Sequence, residues 1–224
     1  MNKREETMKA LLRKCNNKQV QMMLINKKML SVMQNHPYLI KLDMIIAFYY
    51  RKNDFNREII PVSYDMLKEW DVTTDELYKL ALYNMEQNTP VSFGRLSQLL
   101  IDLAIDLDED ENEEFEIDLK PILEQDREPY MYVLSNRERF LGASTILMPS
   151  VLNKLSEILN SDFYMLPSSV HEWIILPTWG SISESDLHDM VLSVNSKCVL
   201  PAEQLSDSVY RYDSSTHQVI ICKW

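Results

Sequence analysis

Glycine is scarce in this chain. Gly94, Gly142 and Gly180 are its only glycines among 224 residues, and they lie far apart. Loops that bind phosphate groups need clustered glycines, because several backbone N–H groups must approach the anion closely. The sequence therefore has neither a Walker-type phosphate loop nor a dinucleotide-binding fingerprint. It also lacks the G-x-S-x-G turn that exposes the nucleophile of α/β-hydrolases.

Cysteine is equally rare. Cys15, Cys198 and Cys222 are odd in number, widely separated and free of any C-x-x-C spacing. This pattern opposes both a disulfide framework and a structural zinc site, and it favours a reducing compartment. We therefore expect no metal, no cofactor and a cytoplasmic location.

Long apolar runs and an excess of positive charge are also missing. The N-terminus (MNKREETMKALLRK) has no apolar segment of the kind found in secretory signals, and Met44–Tyr50 is too short to cross a bilayer. A net charge of −11 disfavours nucleic-acid binding, because phosphate groups must be neutralised by Lys and Arg. Only the basic helix predicted within residues 1–28 could contact nucleic acid, and a solvated helix face is the favoured interpretation. We expect a soluble protein with no membrane partner.

The N-terminal half of the chain favours helices. Apolar residues recur at helical spacing over Glu5–Lys14 and Val20–Gln34. Leu39–Tyr50 is ambiguous between a buried helix and a strand, and its length slightly favours a helix. The other elements predicted here are a strand over Glu58–Val62, a helix over Tyr64–Trp70, a helix with a capping box at Thr73 and Glu76 that ends near Met85, and a helix over Leu96–Leu107.

The C-terminal half favours strands. Predicted strands cover Met131–Leu134, Ala143–Met148, Asp162–Leu166, Glu172–Leu176, Val209–Tyr212 and Gln218–Lys223, with helices starting at Pro149 and running from Glu184 to about Val194. Two strands and a helix, repeated and followed by a hairpin, predict an antiparallel or mixed sheet with helices packed on one face. The chain is therefore expected to be an α+β protein.

An acidic run separates the two halves. Asp108–Glu116 reads DEDENEEFE, and consecutive charges of one sign are typical of a solvated linker. We predict a mainly helical subdomain at 1–107, an acidic linker at 108–128 and an α+β sheet subdomain at 129–224.

Four blocks occur in a fixed order along the chain. They are Ile59–Asn84, which contains L-x-x-W followed by T-x-D-E-L-Y, then Met131–Asn136 (MYVLSN), Asp162–Pro177 (DFYMLPSSVHEWIILP) and Leu205–Asp213 (LSDSVYRYD). Together they resemble an uncharacterised family from Gram-positive anaerobes, classed as a domain of unknown function. The resemblance covers about residues 20–215. It implies a bacterial protein and a shared fold but no activity, and it places the basic N-terminal helix outside the family pattern.

The turn inside the third block contains the most suggestive side chains. Ser168 or Ser169 could be a nucleophile, with His171 as its base and Glu172 as the acid that orients the base. Adjacent residues of a strand point to opposite faces, however, so His171 and Glu172 cannot both approach one serine in a regular turn. The favoured interpretation is that the serines satisfy backbone groups of the turn.

Aromatic residues near the C-terminal strands give a second candidate. Most of them are expected in the core. A groove lined by Trp179 and Tyr212 is the ligand or partner surface that the sequence indicates.

Two functional hypotheses follow. The first is a non-enzymatic protein-interaction or regulatory module whose partner is another protein, based on the missing phosphate loops and metal-ligand spacings. The alternative is a hydrolase-like enzyme centred on Ser168, Ser169, His171 and Glu172.

Overall fold

Helices and antiparallel sheets alternate along the chain, which confirms the predicted α+β class. The computed structural model describes residues 3–52, 58–99, 130–180 and 182–223. Its helices are α1 (Lys3–Lys14), α2 (Tyr64–Trp70), α3 (Thr74–Asn88), α4 (Pro149–Leu159) and α5 (Glu184–Lys197), with 3₁₀ helices at Lys27–Met33 and Gly142–Leu147. No helix within these residues combines the length and the apolar character needed to span a bilayer.

The described strands form two sheets. The first sheet contains β1 (Gln21–Asn26), β2 (Tyr38–Lys41), β3 (Met44–Arg51) and β4 (Ile59–Pro61), with β3 paired to the other three. The second contains β5 (Val91–Arg95), β6 (Tyr132–Asn136), β7 (Phe163–Ser169), β8 (Glu172–Pro177), β9 (Tyr210–Asp213) and β10 (Gln218–Ile221), in the order β10-β9-β7-β8-β6-β5. Every pairing between these strands is antiparallel.

The first sheet corrects two predictions. Val20–Gln34 is not a helix but β1 followed by a 3₁₀ helix, and Leu39–Tyr50 is not a helix but most of the β2–β3 hairpin. The tight connection between β2 and β3 places Leu42 at a φ of 58°, in the left-handed region. Strands prevail here because β3 is apolar on both faces and β1 pairs with it from Gln21 to Asn26.

The two faces of the first sheet pack differently. Met22, Leu24 and Phe48 lie in the main hydrophobic core of the molecule. On the opposite face, Met33 of the first 3₁₀ helix covers Ile45 and Ala47 of β3. The 3₁₀ helix therefore covers part of the outer face of this sheet.

The second sheet matches the predicted strands closely, with one correction. Ala143–Met148 is a buried 3₁₀ helix rather than a strand. Its hydroxyls are satisfied locally, since Thr145 Oγ1 donates to the Gly142 carbonyl at 2.8 Å and Ser144 Oγ donates to Leu141. A continuous apolar run does not distinguish a strand from such a segment. Strand β5 was not predicted.

Helix α5 covers one face of the second sheet, where Leu187 and Val191 pack with Leu166 and Leu176 of the β7–β8 hairpin. The other face contributes Phe163, Met165, Trp173, Ile175, Tyr210 and Tyr212 to the main core. The main core also contains Met8 and Leu11 of α1 and Leu77 and Leu80 of α3.

One continuous core thus includes side chains from both predicted subdomains. The predicted acidic linker at 108–128 lies outside the described residues, as do positions 100–107 of the predicted helix Leu96–Leu107, of which residues 96–99 are helical. The division into two subdomains stays a prediction.

Candidate functional site

The Ser168–Glu172 turn joins the two central strands of the second sheet. Ser168 and Ser169 end β7, Glu172 begins β8, and the pairing register shifts between Pro167 and Ser169. The shift lets the Ser168 hydroxyl donate to the Glu172 carboxylate at 3.3 Å. Ser169 Oγ accepts a hydrogen bond from the backbone N–H of His171 at 3.0 Å, which closes the turn.

The His171 ring has partners other than the serine hydroxyls. Its Nδ1 accepts a hydrogen bond from the backbone N–H of Leu141 at 3.0 Å, and its Nε2 lies 3.6 Å from Oε1 of Glu203. A neutral imidazole that accepts at Nδ1 has its proton on Nε2, so neither ring nitrogen offers a lone pair to a hydroxyl. A serine nucleophile requires such a lone pair to take its proton.

The structure therefore brings Ser168 to Glu172, and Ser169 to the His171 backbone. It does not bring the His171 ring to either hydroxyl through any described hydrogen bond. The arrangement stabilises the turn, and the His171 carbonyl adds to it by accepting from Ser135 Oγ at 2.7 Å.

The two aromatic residues of the predicted groove have different surroundings. Trp179 is exposed and meets Tyr130 edge-on, with ring centroids 5.8 Å apart. Tyr212 is buried and stacks on Phe163 at 5.0 Å. Tyr212 also lines a cavity, and Trp179 is not among the residues that line it.

That cavity, here called the Lys41 cavity, has a volume of about 360 Å³. It lies between β2, the second 3₁₀ helix, α4 and the β9–β10 hairpin. One part of its wall is apolar (Ile146, Leu147, Pro149, Leu152 and Val219) and the other is polar (Lys41, Asn153, Tyr212, His217 and Gln218). Small-molecule sites typically combine a mostly apolar wall with a few convergent polar groups.

The β9–β10 hairpin positions one side of the cavity. Asp213 accepts hydrogen bonds from the backbone N–H groups of Ser215 and Thr216, and the same turn places His217 at a φ of 54°. The Ser215 hydroxyl bond and the backbone bonds hold the pKa of Asp213 below its usual value. Asp162, just before β7, accepts from both the N–H and the hydroxyl of Ser214. The turn is therefore held by hydrogen bonds within it and by hydrogen bonds to Asp162 beside β7.

Three side chains form a hydrogen-bonded group at the cavity wall. The Tyr212 hydroxyl donates to Asn153 Oδ1 at 2.5 Å and lies 3.0 Å from Nδ1 of His217. The same His217 nitrogen lies 3.1 Å from Asn153 Oδ1. Burial raises the pKa of Tyr212, so its hydroxyl is a neutral donor at neutral pH.

Lys41 is the cation of this cavity. It ends β2 and pairs in register with Met44, so its side chain shares the core-facing side of the sheet. Burial lowers the pKa of Lys41. Within the described part of the chain no carboxylate forms an ion pair with it, whereas Lys14 pairs with Asp71 and Lys28 with Asp207.

A wider cavity of about 740 Å³ lies where α1, α2 and the start of α3 meet. Its lysine Lys14 already donates to both the carbonyl and the carboxylate of Asp71 at 2.9 Å. A ligand in this wider cavity would have to compete with Asp71 for the Lys14 ammonium group. The Lys41 cavity is therefore the stronger candidate.

Sequence reasoning found Tyr212 but missed Lys41, Asn153 and His217. These three come from β2, α4 and the β9–β10 turn, and no spacing in the chain relates them. The one local signal was the DSSTH turn that exposes His217 beside a strand. Among the described residues no group of three His, Cys, Asp or Glu side chains converges as metal ligands would.

Comparison with known proteins identifies the family. A family of unknown function (DUF5688) matches residues 3–214, and the chain belongs to it. The match includes α1, which the sequence resemblance had left outside. No significant match was found among curated proteins or among solved structures.

Proposed function

We propose that this member of the DUF5688 family is a non-enzymatic, cytoplasmic protein-interaction or regulatory module. Its partner is another protein, which binds an outward-facing apolar surface on the first sheet. This surface, called the N-terminal apolar surface, consists of Met29, Leu30, Val32 and Ile40. The observation that supports the proposal is the exposure of these side chains: 41, 38, 56 and 51%, respectively.

Three of the four side chains lie on the 3₁₀ helix that covers one face of the first sheet, and Ile40 lies on that face itself. The 3₁₀ helix Lys27–Met33 packs on that face through Met33 and leaves its other apolar side chains exposed. Ile40 pairs in register with Ile45, which Met33 covers, so Ile40 lies on the same side. Exposed apolar residues scattered singly are ordinary, but several on one face are typical of an interaction site.

The edge of the sheet adds a second way to bind. Among the described strands, β2 pairs with β3 alone. An edge strand with unpaired backbone groups can accept a strand from a partner, whose side chains would then meet Ile40 and its neighbours. Burying the apolar surface would contribute about 25 cal/mol per Å² of area removed from water.

Site-specific photo-crosslinking in the source cells tests this proposal. A benzophenone amino acid at position 32 is expected to give one discrete cross-linked product containing a second protein. Ile158 on α4 is a matched control, because it is also apolar and 58% exposed but lies elsewhere. We expect no product from position 158.

Substitutions provide the complementary measurement. Val32→Glu and Ile40→Lys should abolish co-purification of the cross-linked partner, and Ile158→Glu should leave it unchanged. The same product from both positions, no product at all, or a product made only of two copies of this chain would contradict the proposal.

The hydrolase alternative predicts a reactive serine, which the geometry of the turn does not favour. Because both His171 ring nitrogens are engaged elsewhere, we expect a fluorophosphonate probe to leave Ser168 and Ser169 unmodified, as measured by peptide mass spectrometry. Labelling of either serine that His171→Ala removes would instead support the hydrolase.

Nucleic acid is not the partner we propose. The basic helix α1 uses part of its charge within the molecule, since Arg4 pairs with Glu86 and Lys14 with Asp71. Its apolar side, through Met8 and Leu11, packs in the core.

A further inference from the structure

We propose that the Lys41 cavity binds a small organic carboxylate with an apolar body, whose carboxylate accepts hydrogen bonds from the Lys41 ammonium group. This inference concerns a different site from the N-terminal apolar surface. Lys41 and Ile40 are neighbours on β2, and their side chains therefore point to opposite faces of the first sheet. The two proposals can succeed or fail separately.

The first argument is the missing counter-ion. Removing an ammonium group from water is costly unless an opposite charge or several hydrogen-bond acceptors compensate it. Lys41 is partly buried, and the described residues provide no ion pair for it. Burial lowers the pKa of Lys41, which means that the charged form is disfavoured in the cavity without a partner. An anion bound beside Lys41 would favour the charged form and raise this pKa again. An anionic ligand supplies the missing partner.

The second argument concerns the kind of anion. The described residues that line the cavity include one lysine, no arginine and no carboxylate. A single ammonium group matches the single charge of a carboxylate, whereas phosphate groups are usually bound by several cations or by clustered backbone N–H groups. His217 and Tyr212 are both hydrogen-bonded to Asn153, so their polar atoms at the wall already have a partner within the protein. A monocarboxylate therefore fits the charge of the site.

The third argument concerns the rest of the ligand. Besides the polar groups, the wall contains aliphatic side chains of the second 3₁₀ helix, of α4 and of Val219. A hydrocarbon chain or ring would bury apolar area against them. The volume of about 360 Å³ is near the lower end of known ligand sites, which span roughly 300–1,000 Å³. The ligand is therefore small.

Titration calorimetry with two probe acids tests the proposal on the full chain. Hexanoate and 3-phenylpropanoate are expected to bind saturably, and their neutral amides about tenfold more weakly or not at all, because the amides lack the charge that Lys41 would pair with. Lys41→Met should weaken binding of both acids by about tenfold or more. Lys154→Met is the matched control, because Lys154 lies on α4 but is exposed and pairs with Glu157. It should change binding less than about twofold.

A second measurement uses the unmodified protein and does not depend on the folding of a variant. Hexanoate should slow acetylation of Lys41 by an activated ester, measured by peptide mass spectrometry, and should leave the rate at Lys154 unchanged. No saturable binding of either acid, equal binding of acid and amide, or equal rates at Lys41 with and without hexanoate would overturn the proposal. Tighter binding of inorganic phosphate than of either acid would overturn the ligand class.

Discussion

Replacing Gly142 by alanine is expected to lower the free energy of unfolding by about 3 kcal/mol or more, which is at the upper end of the range for overpacking a core. A Cβ at this position would lie 2.6 Å from the backbone nitrogen of Asn136 and 2.6 Å from the His171 carbonyl oxygen, and would also clash with Ser135 Oγ. Atoms at such distances must move apart.

The atoms close to Gly142 cannot move away without disturbing the second sheet, because two of them belong to the backbone. Asn136 ends β6, which is paired on both sides by β5 and β8, and His171 lies in the turn between β7 and β8. The Ser135 hydroxyl donates to the His171 carbonyl, so an added methyl group would push apart two groups that are hydrogen-bonded to each other. Relief would require the 3₁₀ helix to move off the sheet, which would also break the bond from Trp173 Nε1 to the Ala143 carbonyl.

Equilibrium unfolding in urea measures this effect, with the midpoint and slope compared between variants. Gly94→Ala is the control, because a Cβ at that position meets nothing within 4 Å. The control should leave the midpoint almost unchanged. Equal changes in the two variants would show that the close contact at Gly142 is not the cause.

Local chemistry was sufficient to predict several elements. Thr73 and Glu76 form the expected capping box, with Thr73 Oγ1 accepting from the Glu76 N–H and Glu76 accepting from the Thr73 N–H. The β7–β8 hairpin and α5, which Ser183 caps, also lie where the sequence placed them. Each of these signals is contained within a few consecutive residues, so no knowledge of distant contacts was needed.

The first sheet could not be predicted from the sequence, because its strands are determined by contacts between distant parts of the chain. Gln21–Asn26 (QMMLIN) satisfies a helical pattern as well as a strand pattern, and pairing with Met44–Tyr49 decides between them. The same limit applies to the candidate site. Tyr212 was predicted because it is an aromatic residue near a predicted strand. Lys41 becomes a candidate only in the folded structure, where β2 lies beside α4 and the β9–β10 hairpin and the three together line a cavity.

The Leu205–Asp213 block binds the carboxylate of Asp43 through its hydroxyl groups. Its two serines and first tyrosine were part of the family resemblance without an assigned role. In the structure, the hydroxyls of Ser206, Ser208 and Tyr210 all donate to the Asp43 carboxylate, the first two at 2.9 and 2.8 Å. Asp43 lies in the β2–β3 connection, 163 positions before Ser206.

Asp43→Ala is therefore expected to lower the free energy of unfolding by about 3 kcal/mol, because hydrogen bonds to a charged group contribute roughly 1.5–3 kcal/mol and buried hydroxyls would lose their acceptor. Ser206 and Tyr210 are buried, so water cannot readily replace the carboxylate. Asp43→Asn should have a smaller effect, since the amide retains one acceptor oxygen. Urea unfolding measures both variants. Asp65→Ala is the control, because the Asp65 carboxylate is exposed and its ion pair with Lys68 is made at the surface.

A double-mutant cycle separates this interaction from general damage at the hairpin. Tyr210→Phe alone should cost about 1–2 kcal/mol, and the double variant Asp43→Ala, Tyr210→Phe should lose less than the sum of the single losses. The reason is that the phenylalanine leaves no hydroxyl to be stranded when the carboxylate is removed. Strict additivity would mean that Asp43 and Tyr210 do not interact energetically. A coupling of the expected sign would establish that the Leu205–Asp213 block fastens the β2–β3 hairpin, and with it Lys41, to the second sheet.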